Sequence, residues 1–227
     1  RFQQIQAANK IVQRVLKGEK KQGLIWHFQG SGKSLLMVFT ARKLRAQPAL
    51  KSPTVMVVVD RTDLDAQITS TFLSADVANM VQVSNKAELQ ELLTAGSRKV
   101  IITMIHKFGD ITEALDKRDN IIVMVDEAHR TQEGDLGRAM RTALPNAFLF
   151  GLTGTPINKR DHNTFKWFGD PGDESGYLSR YSFQDSQRDG ATLPLNFEPR
   201  LSEMHLDERA IDIAFDELTQ QNELTEA

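Results

Sequence analysis

A short polar loop follows the first apolar run of the chain, and its residues are suited to binding phosphate. The loop reads Gln29-Gly30-Ser31-Gly32-Lys33-Ser34. Its two glycines let successive backbone N–H groups turn toward an anion, and the helical pattern that follows adds partial positive charge. Lys33 is placed to reach the β- and γ-phosphates of a nucleotide, and the Ser34 hydroxyl to bind Mg²⁺. The first glycine of the full G-x-x-x-x-G-K-S pattern falls at His27, so the match is to a relaxed form.

Two adjacent acids end a later apolar run, in the segment Asp126-Glu127-Ala128-His129. Alone, such a pair is often only the start of a loop. In a doubly wound sheet, however, an acid at a strand end lies beside the phosphate loop. Asp126 would then complete the Mg²⁺ shell with Ser34, and Glu127 would orient and deprotonate the attacking water. His129 would sit near the γ-phosphate and report its presence to a neighbouring domain.

Five short apolar runs predict buried strands, at residues 24–28, 55–59, 100–104, 121–125 and 147–152. Continuous rather than alternating runs are typical of parallel strands that are covered on both faces. Helical patterns lie between them, at residues 2–16 and 34–46, and Asn85 with Glu88 forms a capping box for another. The alternation predicts an α/β fold, with a mainly parallel sheet flanked by helices on both faces.

The pattern changes after Pro156. Residues 161–190 predict loops with short elements, residues 194–201 one more strand and residues 207–218 a helix. Six aromatic residues cluster in the irregular stretch, and we expect them to pack against the sheet rather than stack on bases. They are Phe165, Trp167, Phe168, Tyr177, Tyr181 and Phe183.

Composition limits the classes of protein. With 227 residues, 40% apolar and 26% charged, the chain is long enough for one domain and a remainder. It has no cysteine, which excludes disulfides and thiolate metal sites. No apolar run approaches the ~20 residues of a membrane helix, so we expect a cytoplasmic protein without a membrane partner. Residues 1–59 hold eleven Lys or Arg and one acid, a bias that we read mainly as solvated helix faces.

The phosphate loop and acidic segment resemble those of superfamily-2 helicases and translocases. Four more segments strengthen the resemblance, at residues 1–7, 59–67, 102–108 and 151–156. It implies a RecA-like domain that binds ATP and Mg²⁺, with Gln4 and Arg1 on the adenine. Thr153 and Thr155, with His129, would couple hydrolysis to domain movement. The implied contacts to DNA are Asp60, Arg61, Thr103, His106 and Lys107.

Finer features resemble the R subunit of type I restriction–modification enzymes. They lie at residues 26–34, 126–132 and 189–194, and Thr153-Gly154-Thr155-Pro156 is typical of double-strand DNA translocases. The resemblance implies a DNA translocase that is fused to a nuclease and works in bacteria or archaea with methyltransferase and specificity subunits. Phe28 departs from the threonine that is frequent in this family.

The resemblance also predicts a domain division. Residues 1–193 would form the first RecA-like domain, and residues 194–227 a linker or the truncated start of the second. We expect the nuclease to lie outside this chain, which begins with Arg rather than Met. Without the second domain and its arginine finger, the chain should bind Mg-ATP but hydrolyse it slowly or not at all.

Two alternatives stay open. The first is a remodeller-type or repair translocase that has no nuclease. The second is a scaffold in which bound nucleotide switches a partner interface without hydrolysis. Residues upstream of Arg1 would decide the first, and DNA-stimulated ATP turnover would decide the second.

Overall fold

A computed structural model describes residues 1–60, 62–128, 135–157, 164–194 and 198. Arg1–Thr192 form one compact unit, and Leu193–Ala227 form another. The helix predicted at residues 207–218 lies outside the described residues, as does most of the strand predicted at 194–201. The assignment of residues 194–227 to a second RecA-like domain or linker therefore stays a prediction.

Within the described ranges, seven strands form a single parallel sheet. In chain order they are β1 (Gln22–His27), β2 (Thr54–Val59), β3 (Met80–Gln82), β4 (Val100–Met104), β5 (Ile121–Val125), β6 (Phe148–Thr153) and β7 (Ser179–Tyr181). Their order in the sheet is β3-β4-β2-β5-β6-β1-β7. Strand β6 therefore separates β1, which leads into the phosphate loop, from β5, which leads into the acids.

Helices cover both faces of the sheet. They are α1 (Phe2–Lys17), α2 (Lys33–Arg45), α3 (Thr62–Ser74), α4 (Lys86–Thr94), α5 (Asp135–Ala143), α6 (Thr164–Phe168) and α7 (Phe183–Arg188). Side chains alternate across a strand, so Val55, Val57 and Val59 pack with α1, α2 and α3, while Met56 and Val58 pack with α4, α5 and α6. All six residues of β2 are buried. The predicted α/β architecture is confirmed.

The long strands match the apolar runs, and the short ones do not. Strands β4 and β5 have the predicted bounds, whereas β1 begins earlier, at Gln22, and ends at His27. Strands β3 and β7 have three residues each and were not predicted as strands. Short edge strands carry no continuous apolar run, because only part of their surface is buried.

Helix α4 is capped in a different way from the predicted box. The Asn85 side chain accepts a hydrogen bond from the Glu88 amide at 3.0 Å, as expected. The Glu88 carboxylate, however, accepts from the amide of Ser84 rather than from that of Asn85. The cap therefore extends one residue upstream and ties the preceding loop to the first turn of the helix.

The aromatic residues after Pro156 pack against the sheet. The Tyr177 ring lies 5.2 Å from Trp26 and 5.1 Å from Phe165, and Phe168 is buried. Trp26, in the run predicted to form a buried strand, is only half-buried, and the guanidinium of Arg180 lies over its ring at 4.8 Å. Among the described residues, no helix has the length and apolar character needed to span a membrane.

Candidate functional site

The phosphate loop is a compact turn between β1 and α2. Helix α2 begins at Lys33 with Gly32 as its N-cap. Gly30 and Gly32 have φ angles of 82° and 86°, in the left-handed region that favours glycine. The Ser31 amide donates to the Phe28 carbonyl at 3.2 Å and closes the turn. Backbone amides at a helix N-terminus are suited to an anion, so the local structure fits phosphate binding.

The side-chain amide of Gln4 is bonded to this loop. Its Nε2 donates to the carbonyl oxygens of Ser31 at 2.9 Å and Gly32 at 3.3 Å. A Cβ atom at Gly32 would overlap the same Nε2, so the contact itself requires glycine there. The amide thus holds the loop from the side of α1. Adenine contacts by Gln4 and by the exposed Arg1 remain predictions.

His27 is a buried, neutral side chain at the end of β1. Its Nε2 lies 3.0 Å from Ser179 Oγ on β7. Burial, with smaller effects from Lys33 and Lys10, lowers the pKa of His27 to about 4. His27, which stands where the full G-x-x-x-x-G-K-S pattern has its first glycine, therefore contacts the neighbouring strand β7. The phosphate loop after it still forms.

Asp126 follows β5 as a buried carboxyl group that is 5% exposed. Its amide donates to the Val58 carbonyl at 2.8 Å, while among the described residues its Oδ1 has no hydrogen-bond partner. Burial raises the pKa of Asp126 to about 6, although Lys33 acts to lower it and Glu127 to raise it further. A buried carboxylate oxygen that lacks a hydrogen-bond partner is suited to bind a cation.

Glu127 has a strained backbone, with φ at 48°. A non-glycine residue in this region costs of order 1 kcal/mol and persists only where its surroundings hold it. The amides on either side supply that hold, since Asp126 donates to Val58 on β2 and Ala128 donates to Leu152 on β6 at 3.1 Å. The sheet thus fixes the turn that carries the predicted catalytic base.

Strand β6 lies between β1, which leads into the phosphate loop, and β5, which leads into Asp126. Two strand spacings separate β1 from β5, about 9.6 Å in all. The register places Thr153 beside Trp26, and Gly151 beside Val125. The gap lies between the phosphate loop and the acid turn, where a bound triphosphate and its cation would lie.

The turn after β6 contacts the phosphate loop. Trp26 Nε1 donates to the Gly154 carbonyl at 3.1 Å, and a Cβ at Gly154 would lie 3.1 Å from the amide nitrogen of Gln29. The Thr155 amide donates to Thr153 Oγ1 at 3.0 Å, which shapes the turn. Thr153 is buried and Thr155 is exposed. Their coupling role stays a prediction, and His129 lies outside the described residues.

The oxygen ligands present fit Mg²⁺. Mg²⁺ is usually held by one or two carboxylates together with phosphate and water rather than by a cage of side chains. Asp126 supplies a carboxylate oxygen without another partner, and Ser34 supplies a hydroxyl in the first turn of α2. In the described part of the chain, no group of three or more His, Asp or Glu residues could hold a metal by itself.

Two of the predicted DNA contacts have buried side chains in this structure. Thr103 is 0% exposed and Lys107 is 7% exposed, with its Nζ donating to the Val83 carbonyl. Thr103 is buried within β4, and Lys107 is buried in the short helix that follows, Ile105–Phe108. His106 is exposed and Asp60 half-buried. Their DNA contacts remain predictions, and Arg61 lies outside the described residues.

Sequence reasoning missed the edge strand beside the phosphate loop. Strand β7 supplies Ser179 to His27, and the backbone carbonyl of Tyr181 accepts from the Phe28 amide at 3.0 Å. The only sequence signal for this region was the segment at residues 189–194, which contains Asp189. That segment was singled out by its resemblance to a family and not by the chemistry of its residues. The Tyr181 hydroxyl donates to that carboxylate at 3.0 Å.

A parallel sheet with a glycine-lined phosphate loop and a buried acid at a nearby strand end defines a phosphate-loop nucleoside triphosphatase of the α/β class. The chain belongs to the SWI2/SNF2 ATPase family, whose model matches residues 3–227.

Curated relatives include type I restriction enzyme endonuclease subunits. The HindI subunit of Haemophilus influenzae is 40% identical over 223 residues, covering 89% of this chain and 20% of the relative. The MjaIXP subunit of Methanocaldococcus jannaschii is 37% identical, covering 94% and 21%. The chain therefore spans about a fifth of the length of these relatives.

A solved structure with a related fold is a nuclease-deletion mutant of the Type ISP restriction-modification enzyme LlaGI in complex with a DNA substrate mimic. The TM-score is 0.52 at 15% identity, and the match covers 82% of this chain and 20% of that one. At this identity the likeness concerns the fold, and it supports the RecA-like assignment.

Proposed function

We propose that this chain is the ATP-binding half of a double-strand DNA translocase motor in a type I restriction endonuclease. The observation that carries the proposal is the buried Asp126 carboxyl, whose Oδ1 has no hydrogen-bond partner among the described residues, on the same sheet as the glycine loop that leads into Lys33. Relatives at 37% and 40% identity that are named restriction endonuclease subunits favour this motor over a translocase without a nuclease.

The residues divide the work of ATP hydrolysis. The loop amides and Lys33 bind the phosphates, and Gln4 keeps the loop in shape. Ser34 and Asp126 would hold Mg²⁺, which offsets the phosphate charge when bound. Glu127 orients a water and accepts its proton. The turn at Thr153 and Thr155 touches the loop and passes the nucleotide state to the rest of the motor.

The remaining activities belong to the whole protein. DNA translocation requires the second RecA-like half, which supplies charge stabilisation worth about 10³–10⁵ in rate. Cleavage requires the nuclease, and site recognition requires the methyltransferase and specificity subunits. A cytoplasmic location follows from this role. The isolated chain should therefore bind Mg-ATP and turn it over weakly.

The test is DNA-stimulated ATP turnover by the intact subunit with Glu127→Gln. Turnover should fall by about 10²–10⁴, the contribution of a general base, while ATP binding persists. Glu174→Gln, at an exposed acid away from the loop, is the matched control. Normal turnover in Glu127→Gln would remove Glu127 as the base. DNA-independent, negligible turnover in the parent subunit would favour the scaffold alternative.

A further inference from the structure

The segment Asp189-Gly190-Ala191-Thr192 has no role in the proposed hydrolysis, yet its geometry is well defined. Gly190 has φ at 66°, and the amides of Gly190 and Ala191 donate back to the last turn of α7 at 3.0 and 2.8 Å. These are the paired bonds of a Schellman cap, which requires a left-handed residue at that position. The Thr192 hydroxyl lies 2.7 Å from Ser186 Oγ. The segment thus closes α7 and fixes Asp189.

Asp189 in turn holds Tyr181. The Tyr181 hydroxyl donates to Asp189 Oδ2 at 3.0 Å, and the tyrosine is 6% exposed. Strand β7 has only three residues and lies at the sheet edge. Because so short a strand makes few ladder hydrogen bonds, a side-chain anchor contributes much of what keeps it in place.

Tyr181 reaches the base of the phosphate loop. Its carbonyl accepts from the Phe28 amide at 3.0 Å. Its ring lies 5.8 Å from the ring of Phe28 and 5.9 Å from that of His27. Ser179, two residues earlier on β7, lies within hydrogen-bond distance of the His27 imidazole. The two residues that open the loop are therefore held by the edge strand.

We propose that Tyr181 and Asp189 are positioning residues for the phosphate loop. Asp189 holds Tyr181, Tyr181 holds Phe28, and the brace of residues 179–192 thereby sets the loop geometry that binds nucleotide. This inference rests on the proposed function, in that the loop must bind ATP. It assigns the D-G-A-T segment a part in nucleotide affinity that acts through hydrogen bonds rather than through contact with the ligand.

The experiment measures Mg-ATP affinity of the chain by calorimetry, together with hydrogen exchange at the Phe28 amide. Tyr181→Phe should weaken affinity about threefold to tenfold, the worth of one hydrogen bond, and speed exchange at Phe28. Tyr177→Phe, the same chemical change beside Trp26 and away from the loop, is the matched control and should leave both unchanged. Asp189→Ala should behave as Tyr181→Phe does, whereas Asp189→Asn keeps an acceptor oxygen and should preserve affinity.

A double variant separates positioning from general destabilisation. Tyr181→Phe combined with Asp189→Ala should be no weaker than either single change, since both remove the same bond. Equal effects of Tyr181→Phe and Tyr177→Phe, or no effect of either, would overturn the inference. If the parent chain binds no ATP, the proposed function fails. The brace is then judged by exchange at Phe28 alone, where unchanged exchange in Tyr181→Phe refutes it.

Discussion

The candidate residues are placed differently in two stretches along the carboxyl ends of the parallel strands. Where β1, β6 and β5 end, the structure assembles the phosphate loop, the Thr153 turn and the acid turn at Asp126, and neighbouring strands hold each of them. Where β2 and β4 end, two of the predicted DNA contacts, Thr103 and Lys107, are buried. The two stretches thus differ in how their candidate residues are placed, while the roles of those residues in binding nucleotide and DNA stay predictions.

The difference lies in what defines each site. A phosphate loop is defined by its backbone, so glycine spacing between a strand and a helix is enough to specify it. A nucleic-acid track is defined by exposed side chains, and exposure depends on packing that the local sequence does not determine. Lys107 illustrates this, because its ammonium donates a hydrogen bond to the buried Val83 carbonyl.

The largest expected effect is at Lys33. Lys33→Ala should weaken Mg-ATP binding about 100-fold or more, since it removes charge-assisted bonds to the phosphates. Lys43→Ala removes the same charge at the other end of α2, where Nζ donates to Asn9, and should leave affinity unchanged. Calorimetric titration of both variants decides. Equal Mg-ATP affinities of the two variants would contradict the assignment of Lys33 to the phosphates, and with it the contrast between the two stretches.

Within the loop, Gly32 should be less replaceable than Gly30. Both have positive φ, which costs about 1–2 kcal/mol for alanine. Only at Gly32 does a Cβ also displace the Gln4 amide, so Gly32→Ala should lose about 2–4 kcal/mol of unfolding free energy. Urea denaturation compares the two variants. A larger loss at Gly30 would show that the Gln4 contact does not hold the loop.

Asp126 should reduce the stability of the ligand-free chain at neutral pH. Its pKa is raised from 3.8 to about 6, so its favourable contribution is complete below pH 3.8 and is lost as pH rises through 6. Asp126→Asn should therefore stabilise the chain by about 2–3 kcal/mol at pH 7 and by little near pH 4. Denaturation across this range, with Mg-ATP absent, tests it. A lower free energy of unfolding for Asp126→Asn at pH 7 would contradict the claim that the buried Asp126 carboxylate destabilises the ligand-free chain.

The smallest effect concerns Lys107. Lys107→Met should cost about 1 kcal/mol of unfolding free energy, because the Val83 carbonyl loses its donor. His106→Ala, at the exposed neighbour, should change stability by less than about 0.5 kcal/mol. The salt dependence of DNA affinity should be unaltered in Lys107→Met. A slope reduced by about one would instead place Lys107 on a DNA phosphate.

Much of the fold and part of the site could be predicted from sequence, because those signals are local. Continuous apolar runs gave β4 and β5 with their bounds, and the glycine spacing located the turn before α2. Strand β7 could not be predicted from sequence, because Ser179-Arg180-Tyr181 has no apolar periodicity. Its pairing with β1 depends on the tertiary structure. The bond from Gln4 to the loop joins residues 27 positions apart, so only tertiary packing creates it.

The most direct test of the central claim is a crystal structure of the chain with Mg²⁺ and a non-hydrolysable ATP analogue. The account predicts the phosphates on the amides of residues 30–34, with Lys33 on them and the metal bound by Ser34 and Asp126. Nucleotide bound elsewhere, for instance in the polar groove between α1 and β7 that Lys10 and Arg180 line, would contradict it.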